Sequence, residues 1–471
     1  MRFSNLGRLR EQVRFLRRQY LQDGALPFSD ILTDNFVKQA MNAVEGVWKD
    51  RIYTPLVTLW VFLTQVLSAD HSCRGAVARF IAHRLSQGES PCSPETGAYC
   101  QARKRLPEKF FAAVACLVGR ALDAKVDRKW LWKGRRVYLF DGTTVSMPDT
   151  PENQAAYPQV YNQKRGLGFP LARVGALTSL ACGAILNLGV CRYAGKGQGE
   201  VSLLRQLWDV LHPGDVLLTD RLMANWLNIL LLQQRGMELV ARLNKANRRA
   251  DFRRGKRLDR HDHIIRWFKP TSIRSLDWHA LKALPDYITV RETLIPVAQP
   301  GFRTKTIVIV TTLLDHQQTT PKDLATLYRA RWNNELDLRS IKRTLQMHQL
   351  RCKTPELVRK EIWTHILAYN LIRTIMAQAA ATHGLVPRSI SFKGTVQTLE
   401  AFQPVIERTH HPARRLELFQ HILDAIATHR VADRPNRFEP RVKKHRRNHY
   451  GWLMRPRAEM KRLMAKGVVK T

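Results

Sequence analysis

Between Val137 and Arg242 short apolar runs alternate with helical spacings, and that alternation leaves few folds open. Val137-Tyr138-Leu139-Phe140 is an apolar run that ends at Asp141-Gly142. Strand-like runs follow at Ala172 to Leu180 and Ala184 to Cys191, with a turn expected at Cys182-Gly183. Gly195 to Gly199 reads as a flexible approach to a helix holding Leu203, Leu204, Leu207 and Leu211. Val216-Leu217-Leu218-Thr219 leads into Asp220, Leu222 to Gln234 is helical, and Glu238 to Arg242 is another strand. Strands alternating with helices predict a mixed sheet flanked by helices, an α/β core. Val174 to Val190 is uncharged, but it falls short of the about 20 residues of a membrane span. Two buried strands explain it better.

On either side the pattern changes. Residues 1 to about 130 read as helical, with Leu56, Leu59, Trp60, Leu63 and Leu67 at helical spacing, then Phe110, Val114, Val118 and Leu122. Ser90-Pro91-Cys92-Ser93-Pro94 marks a loop between them, followed by the basic stretch Gln101 to Arg105. Asn244 to Gly301 is basic and polar, with strand candidates at His263 to Trp267 and Tyr287 to Val290, so it reads as a β-rich insertion. Thr306 to Leu313 is a further strand, and Thr354-Pro355-Glu356 opens a helix through Ile362, Ile366, Tyr369 and Ile372. The expected layout is a helical DNA-binding domain at 1–130, a core split between 131–243 and 305–400 around an insertion at 244–304, and a basic region at 401–471.

Charge narrows the partners. The chain has 77 Lys+Arg against 39 Asp+Glu, a formal +38. Three stretches concentrate the excess: Arg2 to Arg18, Arg242 to Lys269, and Arg434 to Thr471. Each phosphate contact adds salt-sensitive affinity, so such a chain is expected to meet a polyanion. Its seven cysteines contain no Cys-x-x-Cys pair, which points to neither a disulfide framework nor a zinc site and fits a reducing cytosol. His261-Asp262-His263 and His410-His411 read as loop histidines.

A second pattern lies further along. Thr320 can cap a helix whose first position is Pro321. At about 100° per residue, Arg331, Glu335 and Lys342 fall at roughly −60°, −20° and −40° from Tyr328. The four share one stripe, beside an apolar stripe of Leu327, Leu338, Ile341 and Leu345 that can dock on a core. One carboxylate flanked by two cations and a phenol suits a metal held beside a phosphate chain. Asp141 and Asp220 each follow a short apolar strand. If those strands are neighbours, the two carboxylates converge, and Glu335 completes three hard oxygen donors for one or two Mg²⁺ ions. Simpler roles stay open: Asp141-Gly142 as a turn, Asp220 as a helix cap, Glu335 as a surface partner of Arg331 or Arg339. Asp149, Glu152, Glu200 and Asp215 rank below these three acids.

Tyr, two residues, Arg, three residues, Glu, six residues, Lys is the signature of the DDE transposases of bacterial insertion sequences, insertion-element-four family. Tyr328, Arg331, Glu335 and Lys342 match it at every spacing. Asp141-Gly142-Thr143-Thr144, Gly214 to Arg221, Asp149 to Asn153 and Ala368 to Arg373 also resemble family segments. The resemblance implies a ribonuclease-H-like core, interrupted by a β-rich insertion, and Mg²⁺-dependent cut-and-paste transposition, with Mn²⁺ able to substitute. In that scheme water nicks the element end and the freed 3′-OH attacks the opposite strand to form a hairpin. A second water opens the hairpin, and the 3′-OH joins target DNA. Asp141, Asp220 and Glu335 would hold the metals, while Tyr328, Arg331 and Lys342, assisted by Arg242, would contact phosphates near the cleaved end. The implied partners are double-stranded DNA, as terminal inverted repeats and as target, and a second copy in the synaptic complex. No membrane is involved, and the expected place is the bacterial cytoplasm at the nucleoid. Some relatives stack a flipped base on a tryptophan in the strand before the glutamate helix, but Thr306 to Val310 has none. Trp267 or Trp278 is the expected stand-in. A purely hydrolytic nuclease and a noncatalytic DNA-binding protein are the competing readings.

Overall fold

Alternating burial along one strand sets the two faces of the sheet. In β1 (Val137–Ser146) Tyr138 and Phe140 enter one apolar cluster, while Val137, Leu139 and Val145 pack on the opposite face. Period-two alternation requires this of a strand buried on both sides. The computed structural model describes residues 39–42, 52–86, 88–246, 248–297, 305–409, 411–431 and 453–468. The arginines from Arg2 to Arg18, His410 and much of the basic tail lie outside the described residues.

Among the described residues, the helices ahead of the sheet include α1 (Pro55–Leu67), α2 (Cys73–Ser86), α3 (Gly97–Arg105) and α4 (Glu108–Ala124). After β1 and α5 (Pro151–Ala156) come β2 (Leu171–Ser179), β3 (Ile185–Arg192), α6 (Glu200–Leu207), β4 (Val216–Thr219), α7 (Trp226–Gln234) and β5 (Glu238–Arg242). The basic stretch forms β6 (Lys256–Asp259), β7 (Asp262–Phe268), α8 (Trp278–Lys282) and β8 (Tyr287–Pro296), followed by β9 (Thr306–Thr311). The chain continues through α9 (Pro321–Ala330), α10 (Trp332–Arg339), a π-helical turn (Ser340–Thr344), and α11 (Pro355–Thr382). Helices α12 (Phe392–Arg408), α13 (Pro412–Thr428) and α14 (Arg457–Ala465) complete the described elements.

All nine strands form one mixed sheet, ordered β3-β2-β1-β4-β5-β9-β8-β7-β6. Strands β1, β4 and β5 are parallel, and β2, β3 and β9 run against their neighbours. The chain turns outward through β2 and β3, then returns past β1 to β4, so strand order reverses between β1 and β4. Open α/β sheets bind ligands at the carboxyl ends of strands flanking such a reversal. The β-rich segment does not hang from a loop; β8 pairs with β9 and carries the same sheet outward.

The N-terminal helices share a core with the sheet and with α11. Phe62, Phe110, Phe111, Val174, Ile185, Ile366 and Ile372 belong to one buried cluster. Asn370 locks it: its amide donates to Ala115 O and Ile185 O, both at 2.9 Å, and accepts from Ile185 N at 2.8 Å.

Three expectations need correction, while Thr354 and Pro355 open α11 as expected. β1 does not stop at Asp141; it runs to Ser146 and pairs Asp141 with Ala176. Helix α7 starts at Trp226, capped by Asn225, because Asp220 instead bonds Leu222 N at 2.9 Å. Asp262 and His263 are not loop residues: they open β7, where Asp262 pairs with the buried Arg291 and His263 Nε2 lies 3.0 Å from Glu292.

Candidate active site

Register brings the two aspartates together. Leu139 of β1 lies opposite Leu218 of β4. Asp141 and Asp220 are each two residues further on, so both share the face of these leucines. Arg242 stands two residues after Val240 in β5, and Val240 belongs to the same cluster as Leu139 and Leu218. That face is covered by α9, whose Leu324 and Leu327 are buried against these strands.

The start of α9 is fixed as expected. Thr320 Oγ1 accepts from Asp323 N at 3.2 Å, and Asp323 returns a bond to Thr320 N at 2.9 Å. The single expected helix is instead three pieces. Arg331 sits at the joint between α9 and α10, where three-residue hydrogen bonds tighten the turn, and Lys342 lies in the π-helical turn. The apolar stripe survives these breaks: Leu327, Leu338, Ile341 and Leu345 are all buried.

Arg331 is the hub. Its guanidinium lies 2.7 Å from Glu335 Oε1 and 3.7 Å from Asp141 Oδ2. Tyr328 is pushed up by burial and pulled back by Arg331 and Arg242, with Asp220 also within electrostatic reach. Burial raises Asp141 to about 6; Glu200 and Asp220 add to the rise, while the Gly142 N–H and Arg331 oppose it. Burial lowers Lys342, and Arg343 lowers it further. A cleft of about 410 Å³ opens here, lined by Asp141, Thr143, Glu335, Lys342, Arg343 and His348 among others. Asp220, Tyr328 and Arg242 are not part of that lining; they meet the site through their neighbours.

Two further features shape the cleft. Glu200 pairs with Arg173 at 2.7 Å, and a Cβ at Gly142 would sit 2.7 Å from its Oε1, so a side chain there would displace the Glu200 carboxylate from its place. Ser146 binds His348 O through its backbone N at 3.2 Å and its hydroxyl at 3.0 Å, pinning the segment after Lys342 to the end of β1.

Asp337, Arg373 and Arg388 form a clamp that spacing alone did not single out. Asp337 is buried, with Arg388 Nη1 at 2.6 Å and Arg373 paired to it as well. Arg388 also donates to Leu180 O and Ser179 O, and Arg373 to Tyr369 Oη, tying α10 to the sheet and α11. The available signal was phase: two residues after Glu335 places Asp337 about 200° around the helix, on the opposite face. Trp267 is buried, donating to Glu292 at 2.8 Å beneath Arg248, so it cannot offer its face to a base. Trp278 is 63% exposed.

Asp141 thus shares the Arg331 guanidinium with Glu335, and Asp220 acts on it from the end of the neighbouring strand. The family model for the transposase DDE domain matches residues 132–371, and the chain belongs to that family. It is a transposase of the bacterial insertion-sequence type, a DNA-cleaving and strand-transferring enzyme. Among relatives it resembles transposase InsG for insertion sequence element IS4 of Escherichia coli (strain K12), 27% identical over 328 residues, 67% of this chain and 69% of that one. A piggyBac transposase synaptic complex with hairpin DNA superposes at a TM-score of 0.42 and 9% identity, covering 85% of this chain and 84% of that one. Among the described residues no helix is long and apolar enough to cross a membrane.

Proposed function

We propose that this transposase performs Mg²⁺-dependent cut-and-paste transposition, with Asp141, Asp220 and Glu335 as metal ligands. The observation that carries the reading is the meeting of Asp141 and Asp220, from adjacent parallel strands, with Glu335 across the Arg331 guanidinium. The donor set fits the ion: all three ligands are carboxylates, and burial makes Asp141 reluctant to ionise without a nearby cation. Bound Mg²⁺, or Mn²⁺ in its place, would activate the attacking oxygen and stabilise the leaving oxygen of the phosphodiester.

The chain's own residues supply the positioning. Arg331 can exchange a carboxylate for a phosphate oxygen, and Lys342 faces the same cleft with its charge only partly solvated. Tyr328 and Arg242 lie beside Arg331 and extend the anion-binding surface. The strand order β3-β2-β1-β4-β5 supports a ribonuclease-H-like core extended by the β-rich segment. For a hairpin route Trp278 is the available stacking surface, exposed and with Lys282 Nζ 4.8 Å from its ring. Two element ends must be processed together, so the working unit is a dimer on terminal inverted repeats.

Labelled inverted-repeat ends, Mg²⁺ and a target plasmid test this directly. Joined product through a hairpin intermediate is expected. Hydrolysis without joining would reduce the protein to a nuclease, and joining without a hairpin would remove that step.

A further inference from the structure

Helix α11 buries a second set of metal-type donors that the DNA chemistry does not use. His365 lies in its middle, fully buried, and neither ring nitrogen has a hydrogen-bond partner. Buried polar groups are nearly always paired, so an imidazole orphaned at both nitrogens points to something it is built to hold. Glu361, one turn earlier on the same face, is buried too. Its carboxylate accepts from Arg351 N at 2.9 and 3.0 Å and from Cys352 N at 2.8 Å, which fixes its orientation and leaves it a lone pair.

The third member comes from far away in sequence. His71 follows α1 with a left-handed backbone, φ 52°, that a side-chain-bearing residue seldom adopts. Gln65 holds it there by donating to His71 O at 2.9 Å. The His71 ring stands 5.6 Å from that of His365, and its Nδ1 is also unpaired. Donor atoms of His71, Glu361 and His365 all lie within 4.8 Å of one another. Bonds of about 2.0–2.2 Å around a tetrahedral ion would draw them to roughly 3–3.5 Å apart. Of the nearby cations, Arg103 is engaged by Gln65, Cys73 and Cys100. Two imidazoles and one carboxylate suit Zn²⁺, whereas Mg²⁺ prefers six oxygens.

We propose that His71, Glu361 and His365 form a structural zinc site, with water as fourth ligand, that ties the turn after α1 to α11. Such a tie would fasten the N-terminal helices to the helix that also carries Arg373 of the clamp.

Elemental analysis of the full chain, after exhaustive dialysis against metal-free buffer without chelator, should find about one zinc per chain. His71→Asn and His365→Gln should each lose it, while Glu335→Gln should retain it. Exchange of Co²⁺ into the wild-type chain should give the intense visible bands of a four-coordinate ion, a readout that needs no variant to fold. A zinc-free wild type showing only weak six-coordinate Co²⁺ bands would overturn the proposal. Zinc lost from Glu335→Gln but kept by His365→Gln would overturn it as well, by placing the ion among the DNA-processing acids.

Discussion

Helix α10 carries two acids two residues apart, and they live in opposite worlds. Asp337 has a side chain 1% exposed and is held by Arg373 and Arg388. Glu335 on the other face is 36% exposed and has one cation, Arg331, which it shares with Asp141. The first cluster is saturated: its one carboxylate is held by two guanidinium groups, whose remaining donors reach Ser179 O, Leu180 O and Tyr369 Oη. In the second, Glu200 and Asp220 both act on Asp141, which shares the Arg331 guanidinium with Glu335. Saturation suits a joint that must not move, whereas the half-exposed Glu335 and its shared cation leave the other face open to a cleft. The same helix therefore presents chemistry on one face and anchorage on the other.

Substitution at the two acids separates these roles. Glu335→Gln should lower cleavage of a labelled element end by about 10³-fold or more, while circular dichroism and end binding stay near wild type. If binding is lost together with cleavage, Glu335 is structural and the contrast collapses. Asp337→Ala should instead destabilise the fold by about 3–5 kcal/mol, because two buried guanidinium groups lose their partner. Urea denaturation measures this, and an unchanged midpoint would mean that the clamp is dispensable.

Much of this contrast was legible in the sequence, and part of it was not. The Thr320 cap formed as its residues predict, Arg331 meets Glu335 one turn on, and Glu335 and Lys342 line one cleft although the helix between Tyr328 and Lys342 is broken. Val216 to Thr219 read as a strand ending at Asp220, and it is one. What failed depended on partners distant in the chain. β1 continues past Asp141 because β2 pairs with it through Ser146, and an Asp-Gly dipeptide gives no hint of that. The break at Arg331 and the π-helical turn are likewise outcomes of packing. The Asp337 clamp and the His71 turn join residues dozens to hundreds apart, beyond any periodicity.

Smaller effects sharpen the account. Burial lifts Asp141 to about 6, above its ordinary value, so the native state holds that proton more tightly than the unfolded chain. Stability from the protonated form is complete below about pH 4 and is lost as pH rises through about 6. Asp141→Asn should therefore be more stable than wild type at pH 7.5 by on the order of 1–2 kcal/mol, with the gap closing toward pH 4. A gap independent of pH would mean that the carboxyl is not desolvated. Lys342→Ala should weaken end binding and make log K against log salt shallower by about 0.9; an unaltered slope would remove Lys342 from the DNA contacts.

Metal-ligand rescue tests the central claim most directly. Glu335→Cys, assayed for end cleavage, should be inactive with Mg²⁺, which disfavours sulfur, and regain activity with Mn²⁺ or Cd²⁺. Asp337→Cys should show no such metal dependence. A folded, DNA-bound Glu335→Cys that stays inactive with every ion would contradict the assignment of Glu335 as a metal ligand.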